Sequence, residues 1–282
     1  MLAGLIGLIA CTGREDPPPV PYAKEEERYG EKIDFARLEH ELPLTQTDLM
    51  KITPDNLKGA TQEQVDQIYV RLTAGPIPDG IYDGQMFFPK GAGNRSRLAE
   101  IAGGGIKGLV VNWKEAKVER LAEFVWKGKV FDRGQRVLRN RIQDLAVLKL
   151  VLGPDSQNVK KIDVDGSDAW LLFPAKLYCG QSLVDGRRES IIIDYAFTDD
   201  LPGYREMPDI FASREGLEIR DEIRMVRPGF YLGRAYMKKA FVLNFTLYNK
   251  DVVENEGAAF VSSGMVNEDC WIGPQRVATM KK

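Results

Sequence analysis

The sequence predicts an α+β protein in which N-terminal helices pack on a large antiparallel β-barrel formed by the C-terminal two-thirds of the chain. Two observations carry this. Residues 189–248 hold successive strand-like runs, separated by turn residues, whose apolar side chains recur at every second position. Period-two alternation marks a strand with one face on a core. Ahead of these runs lie the helix signals, clearest at Thr61-Gln-Glu-Gln64, where the spacing is that of a capping box.

Each strand can be justified in turn. Ile191, Ile193, Tyr195 and Phe197 alternate with Ile192, Asp194 and Ala196. Leu217, Ile219, Asp221, Ile223 and Met225 share one face of the next run. Arg227-Pro-Gly229 supplies a turn, Phe230 to Tyr236 a third run, and the segment to Tyr248 a fourth. Upstream, Trp170-Leu-Leu-Phe173 and Lys176-Leu-Tyr178 are strand candidates, and Asp165-Gly166 and Asp185-Gly186 are hairpin signals. Cys270-Trp-Ile272 is expected to return to the core as a last edge, after a mixed tail beyond residue 250.

The helical part is sparser. Residues 23–40 are charge-rich, anchored only by Ile33, Phe35 and Leu38, and predict a helix lying loosely over the domain. Val65, Ile68, Tyr69 and Leu72 form one face of a firmer helix, ended by Gly75-Pro-Ile-Pro-Asp-Gly80. A further helix is expected from Asn112, with Val118, Leu121, Ala122 and Val125 as its stripe. Asp144 to Leu152 is apolar enough for a buried helix or strand.

The first eleven residues, an apolar run ending in Leu8-Ile-Ala-Cys11, resemble the lipobox of bacterial lipoproteins. The run is too short to span a bilayer, which takes roughly 20 residues, and has the size of a signal-peptide apolar region. No Lys or Arg precedes it. The resemblance implies acylation of Cys11 and a lipid-anchored protein of the bacterial envelope, at the outer membrane and facing the periplasm. Thr12 to Pro21 then reads as a polar, proline-rich tether. The chain thus divides into a signal over 1–11, a tether over 12–22, a helical segment over 23–74 and a helix-decorated barrel domain over 75–282.

Composition excludes several classes. With 39 basic and 41 acidic residues the net charge is −2, which leaves no basic footprint for nucleic acid. His40 is the single histidine and there are three cysteines, so a zinc site or a histidine-based triad has no material; neither a metal nor a cofactor is expected. With Cys11 acylated, Cys179 and Cys270 remain, either as a disulfide or as two separate buried thiols.

Gly80-x-Tyr-x-Gly84, followed by Trp126-Lys-Gly-Lys-x-Phe131 and Leu138-Arg-Asn-Arg-Ile142, is similar to the proteins named for a GXWXG motif. Tyr82 stands where that motif has Trp. The resemblance covers about half the chain and implies a lipocalin-like β-structure; it implies no catalytic residues.

Three constellations bear on chemistry. Asp163-Val-Asp-Gly-Ser-Asp168 superficially resembles a calcium loop but has its glycine in the wrong place, and reads as a hairpin turn. Gly103 to Gly108 lacks the endings of a phosphate cradle. Asp194 and Asp221 are more informative, because a carboxylate on an apolar face must find a cation or donors. Arg139, Arg141, Arg224 and Arg234 are the expected partners, with Tyr195 and Tyr236 as hydroxyl candidates. Together these eight residues define a polar floor for a ligand's head group or, more ordinarily, an internal ion-pair network.

The expected function is therefore a lipid-anchored envelope protein that holds an apolar small molecule or a lipid in its barrel. Two alternatives stand beside it: an enzyme using Asp194, Asp221 and arginine on a small or glycosidic substrate, and a structural or interaction lipoprotein.

Overall fold

A computed structural model describes residues 15–24, 34–88, 126–143, 161–164 and 167–273. The Cys11 signal, the helix expected from Asn112, the Gly103–Gly108 turn, and residues 144–152 lie outside the described residues.

Four short helices come first: α1 Phe35–Glu41, α2 Gln46–Lys51, α3 Pro54–Lys58 and α4 Gln62–Tyr69. Each begins on a residue whose side-chain oxygen caps a free backbone N–H: Asp34, Thr45, Thr53 and Thr61. At Thr61 the box is complete, since Gln64 N–H reaches Thr61 Oγ1 (3.2 Å) and Thr61 N–H reaches Gln64 Oε1 (2.9 Å). The expected face of α4 is buried, Leu72 included, although the helix stops at Tyr69 rather than at Gly75. The loose segment around Leu38 is more firmly held than its sequence suggests, for Leu38 is fully buried.

Among the described residues nine strands follow: β1 Gly80–Phe87, β2 Trp126–Asp132, β3 Val137–Ile142, β4 Lys161–Val164, β5 Ser167–Gln181, β6 Glu189–Asp194, β7 Ile219–Arg227, β8 Phe230–Met237 and β9 Ala240–Tyr248. All pairings are antiparallel, in the order β3-β2-β1-β9-β8-β7-β6-β5-β4, and β3 also pairs with β5. That last pairing closes eight strands into a barrel and leaves β4 as a short flap on β5. Closure removes the exposed edges that an open sheet would present. The carboxylate-rich stretch at 163–168 is a hairpin in its backbone pairing, with Asp163 opposite Asp168 and Val164 opposite Ser167.

The two strand candidates at 170–178 prove to be one long strand, β5, broken by a kink at Phe173, whose φ is +50° ahead of Pro174. The register with β3 slips at that point, as an extra residue in one strand requires. The kinked Phe173 N–H donates to buried Asp209 Oδ1 (2.7 Å), in the short helix α5, Glu206–Asp209.

The tail departs most from expectation. Residues Lys250–Ser263 form a helix, α6, capped by Asn249 and ended by Gly264 at φ +61°. Only Gly257 and Phe260 are buried on it, a stripe too thin to read as a periodic pattern. Cys270 to Ile272 do not form a strand. They lie along the start of β6, with Glu189 N–H donating to Trp271 O (3.0 Å), and Cys179 and Cys270 are joined as a disulfide.

Two cores result. Outside the barrel, Val226, Phe230, Leu232 and Phe87 pack under Leu49, Ile52, Leu57, Val65, Ile68 and Phe260 of the helices. Inside, Tyr82, Phe131, Leu138, Leu177, Ile191, Ile193, Ile223, Met225, Tyr231 and Leu247 fill one half of the lumen. Tyr82 sits edge-on to both Phe131 and Tyr231, with ring centroids 5.5 and 5.8 Å away, and plugs that half.

Candidate functional site

The other half of the lumen is hollow. A cavity of about 360 Å³ is bounded by Met86, Trp126, Ile142, Phe173, Leu243 and Phe245 from the strands and by Phe211, Ala212 and Leu217 from the segment after α5. Its polar members are Lys129, Asn140, Tyr195 and Asp221; Tyr236 borders it as well, but its hydroxyl is turned to Arg234 on the outer wall.

The strands put the polar members at one level. Asp221 lies between Ile219, which lines the cavity, and Ile223, which is packed in the filled half. Asn140 likewise separates Ile142 from Leu138, and Phe245 separates Leu243 from Leu247. Inward-pointing residues two apart on a strand stack as successive layers, so these groups form the floor of the cavity and the roof of the packed core.

Lys129 is the centre of that floor, and it is 2% exposed. Its ammonium donates to Asn140 Oδ1 (2.9 Å), Tyr195 Oη (2.7 Å) and Asp221 Oδ2 (3.0 Å), which uses all three of its protons. It also lies 5.4 Å from the Trp126 ring centroid and 5.5 Å from that of Phe245. Tyr195 Oη donates on to Asp221 Oδ2 (3.2 Å). Asn140 is held at both ends of its amide: Nδ2 donates to Phe173 O (3.0 Å) and Tyr195 Oη (3.1 Å), while Oδ1 also accepts from Trp126 Nε1 (2.9 Å). The kink at Phe173 thus fixes the amide that orients the lysine. Burial pulls the Lys129 ammonium below the ordinary lysine range, and the Asp221 carboxylate works against that pull. Burial, reinforced by Asp221, pushes the Tyr195 phenol well above its usual value, so it stays a neutral donor.

Asp221 carries an asymmetry. Its hydrogen bonds among the described residues all fall on Oδ2, and none falls on Oδ1. The floor therefore offers the cavity one open acceptor beside a saturated ammonium.

Lys129 was missed in the sequence for a definite reason. Trp126 and Lys129 are three apart, and strict alternation would put them on opposite faces. A bulge between Trp126 and Gly128 in the pairing of β2 with β3 resets the alternation and turns both inward. Two glycines make room. A Cβ on Gly84 would lie 2.4 Å from the Trp126 ring, and one on Gly128, at φ +125°, would lie 2.0 Å from Tyr82 O. Gly84 and Gly128, one from each motif, are thus the legible trace of this close approach.

Of the eight candidates named from sequence, Tyr195, Asp221 and Tyr236 line the cavity. The other five do not. Asp194 faces outward, where it accepts from Tyr178 Oη (2.7 Å), because Ile193 and Tyr195 on either side of it take the inner face. Arg139 and Arg141 flank inward Asn140 and also point away from the lumen: Arg139 bonds Pro202 O, and Arg141 pairs with Asp83 (2.8 Å). Arg224 is buried against the helices, paired with Asp185 (2.8 Å) and donating to Ser190 Oγ (2.9 Å). Arg234 pairs with Asp66 of α4 and donates to Tyr236 Oη (3.0 Å). The partner of Asp221 is accordingly a lysine and not an arginine. The paired-carboxylate arrangement is corrected as well, since Asp194 and Asp221 stand on opposite faces of the barrel wall and cannot act on one bond.

Glu39, Arg187, Arg188, Asp185 and Arg224 form a continuous ionic seam between α1 and the outer wall. It ties the helices to the barrel and leaves the lumen alone. Cys179 and Cys270 lie near Glu189, but as a disulfide they offer no thiolate to a metal.

Fold and site together define a closed antiparallel barrel, half packed and half hollow, with a buried ion pair at the dividing layer. No family model matches the chain, and no curated protein or solved structure matches it. Among the described residues, no helix is long and apolar enough to cross a membrane.

Proposed function

We propose that the protein is a lipid-anchored envelope protein that holds an apolar small molecule or acyl chain in its barrel, in the manner of lipocalin-like carriers. The observation that carries this reading is the cavity itself: about 360 Å³ of space, walled by aromatic and aliphatic side chains and floored by a few convergent polar groups. A barrel that needed only stability would fill both halves, since unfilled apolar volume costs packing energy. The ligand's apolar body lies against Met86, Trp126, Leu243 and Phe245, and its polar end meets Asp221 Oδ1. The lipobox-like Leu8-Ile-Ala-Cys11 and the proline-rich stretch behind it supply an anchor and spacer, which supports an outer-membrane, periplasm-facing position. The resemblance to the GXWXG-motif proteins fits the same architecture, with Tyr82 plugging the packed half.

The test is to extract the purified full chain with organic solvent and identify released molecules by mass spectrometry, then titrate an apolar fluorophore and follow the fluorophore's own emission. Saturable binding that is lost in Ala235→Phe, which fills the cavity, is expected. No extracted ligand, together with fluorophore binding indifferent to Ala235→Phe, refutes the carrier. Radioactive fatty acid incorporated into wild type but not Cys11→Ala tests the anchor separately.

A further inference from the structure

We infer that Lys129 captures carbonyl ligands covalently: an apolar aldehyde entering the cavity condenses with the Lys129 amine to form an imine. The inference rests on the carrier reading and adds a reaction to it. Three features of the site carry it. Lys129 is buried at the inner end of an apolar cavity that it helps to line, away from bulk water. Asp221 Oδ2, at 3.0 Å, is in place to take a proton from the ammonium. And the other two neighbours, Tyr195 and Asn140, hold the nitrogen at a fixed point rather than leaving it on a mobile four-carbon stem. It sits in the layer that closes the hollow from below, between the cavity and the packed half.

The step balances without any further reactant. Asp221 accepts a proton from the Lys129 ammonium, and the freed amine adds to the carbonyl carbon; the nitrogen, cationic after addition, passes one of its two protons to the carbonyl oxygen to give a neutral carbinolamine. Asp221, once protonated, returns its proton to the departing hydroxyl, which leaves as water. The carbon–nitrogen double bond then forms and the nitrogen keeps one proton. Aldehyde and ammonium have become protonated imine and water, with the Asp221 carboxylate restored as counter-ion. Mostly apolar walls disfavour the water that hydrolysis needs back and so favour the condensed product. Burial also lowers the proton affinity of Lys129, which makes the free amine more accessible than on a surface lysine.

Decanal and 1-decanol, alike except for the carbonyl, separate this inference from the carrier reading. The full chain is incubated with each in the presence of sodium cyanoborohydride, and tryptic peptides are mapped by mass spectrometry. Decanal is expected to mark Lys129 at least ~10-fold faster than any surface lysine, with excess 1-decanol suppressing that mark alone. Asp221→Asn, folded by circular dichroism, leaves the amine freer but removes the acid that expels the hydroxyl, so dehydration of the carbinolamine, and with it trapping at Lys129, is expected to slow. If both compounds displace a bound apolar fluorophore but Lys129 is marked no faster than surface lysines, the covalent capture is refuted and the carrier stands. If neither compound displaces the fluorophore, the carrier reading fails and the capture with it.

Discussion

Replacing Lys129 by Met should unmask how the barrel's dividing layer is held together. The ammonium makes three hydrogen bonds and one ion pair, to Asn140, Tyr195 and Asp221, and all of these groups are buried. Without it the Asp221 carboxylate keeps only Tyr195, and breaking a buried pair from one side costs about 3–5 kcal/mol. Removing the carboxylate as well, in Lys129→Met/Asp221→Leu, relieves most of that. What remains is the loss of partners at Asn140 Oδ1 and Tyr195 Oη, about 1–3 kcal/mol. The double variant should therefore be no less stable than Lys129→Met alone, and the two single losses should not add. Urea unfolding followed by tryptophan emission measures all four proteins. Single losses that sum to the double loss within about 0.5 kcal/mol would refute the coupling and with it the assignment of Lys129 and Asp221 as one unit.

A pH arm makes the same point. In Asp221→Asn the opposing attraction is gone, so burial depresses the Lys129 proton affinity further. The folded state then binds that proton more weakly than the unfolded chain, which means that stability rises with pH. The gain runs from the depressed folded value up to the unfolded lysine value, about 10.4, and the full penalty stands in acid. A flat or falling profile over that range in Asp221→Asn, relative to Lys129→Met/Asp221→Leu, would mean that Lys129 is not confined as described.

Other outcomes follow from neighbouring parts of the fold. Arg224→Met removes one of the two arginines on buried Asp185, which keeps Arg187, and leaves Ser190 Oγ without the Arg224 donor; it should cost about 1–3 kcal/mol in urea unfolding, with the cavity still binding its fluorophore. Gly84→Ala drives a methyl to within 2.4 Å of the Trp126 ring and should destabilise by about 1–3 kcal/mol while altering Trp126 emission. Cys179→Ala/Cys270→Ala removes a link across 91 residues, worth about 4–5 kcal/mol on chain entropy, and thermal unfolding with and without reductant should differ in the wild type alone. Asn249→Ala removes the cap of α6 and should cost about 1 kcal/mol.

The parts of this protein legible in its sequence are those fixed by local rules. Alternation placed Ile191, Ile193 and Tyr195 on one face and Asp221 with Ile219 and Ile223 on another, and the structure has both sets inward. Capping chemistry located α4 from Thr61 and Gln64, and Pro228-Gly229 marked the turn between β7 and β8. The same rule failed where a strand ended: β6 stops at Asp194, so Phe197 is exposed instead of inward.

Which cation met Asp221 was a tertiary matter. The nearby arginines carried the right charge, yet alternation sent Arg224 and Arg234 to the outer wall, where the helices supplied Asp185 and Asp66. The lysine that did arrive came from β2, 92 residues away, by way of a bulge that shifts the side-chain phase by one. Pairing across so long a separation depends on how the barrel closes, and closure rests on β3 finding β5. Periodicity along one strand tells which face a residue takes; only the register between strands tells what it faces.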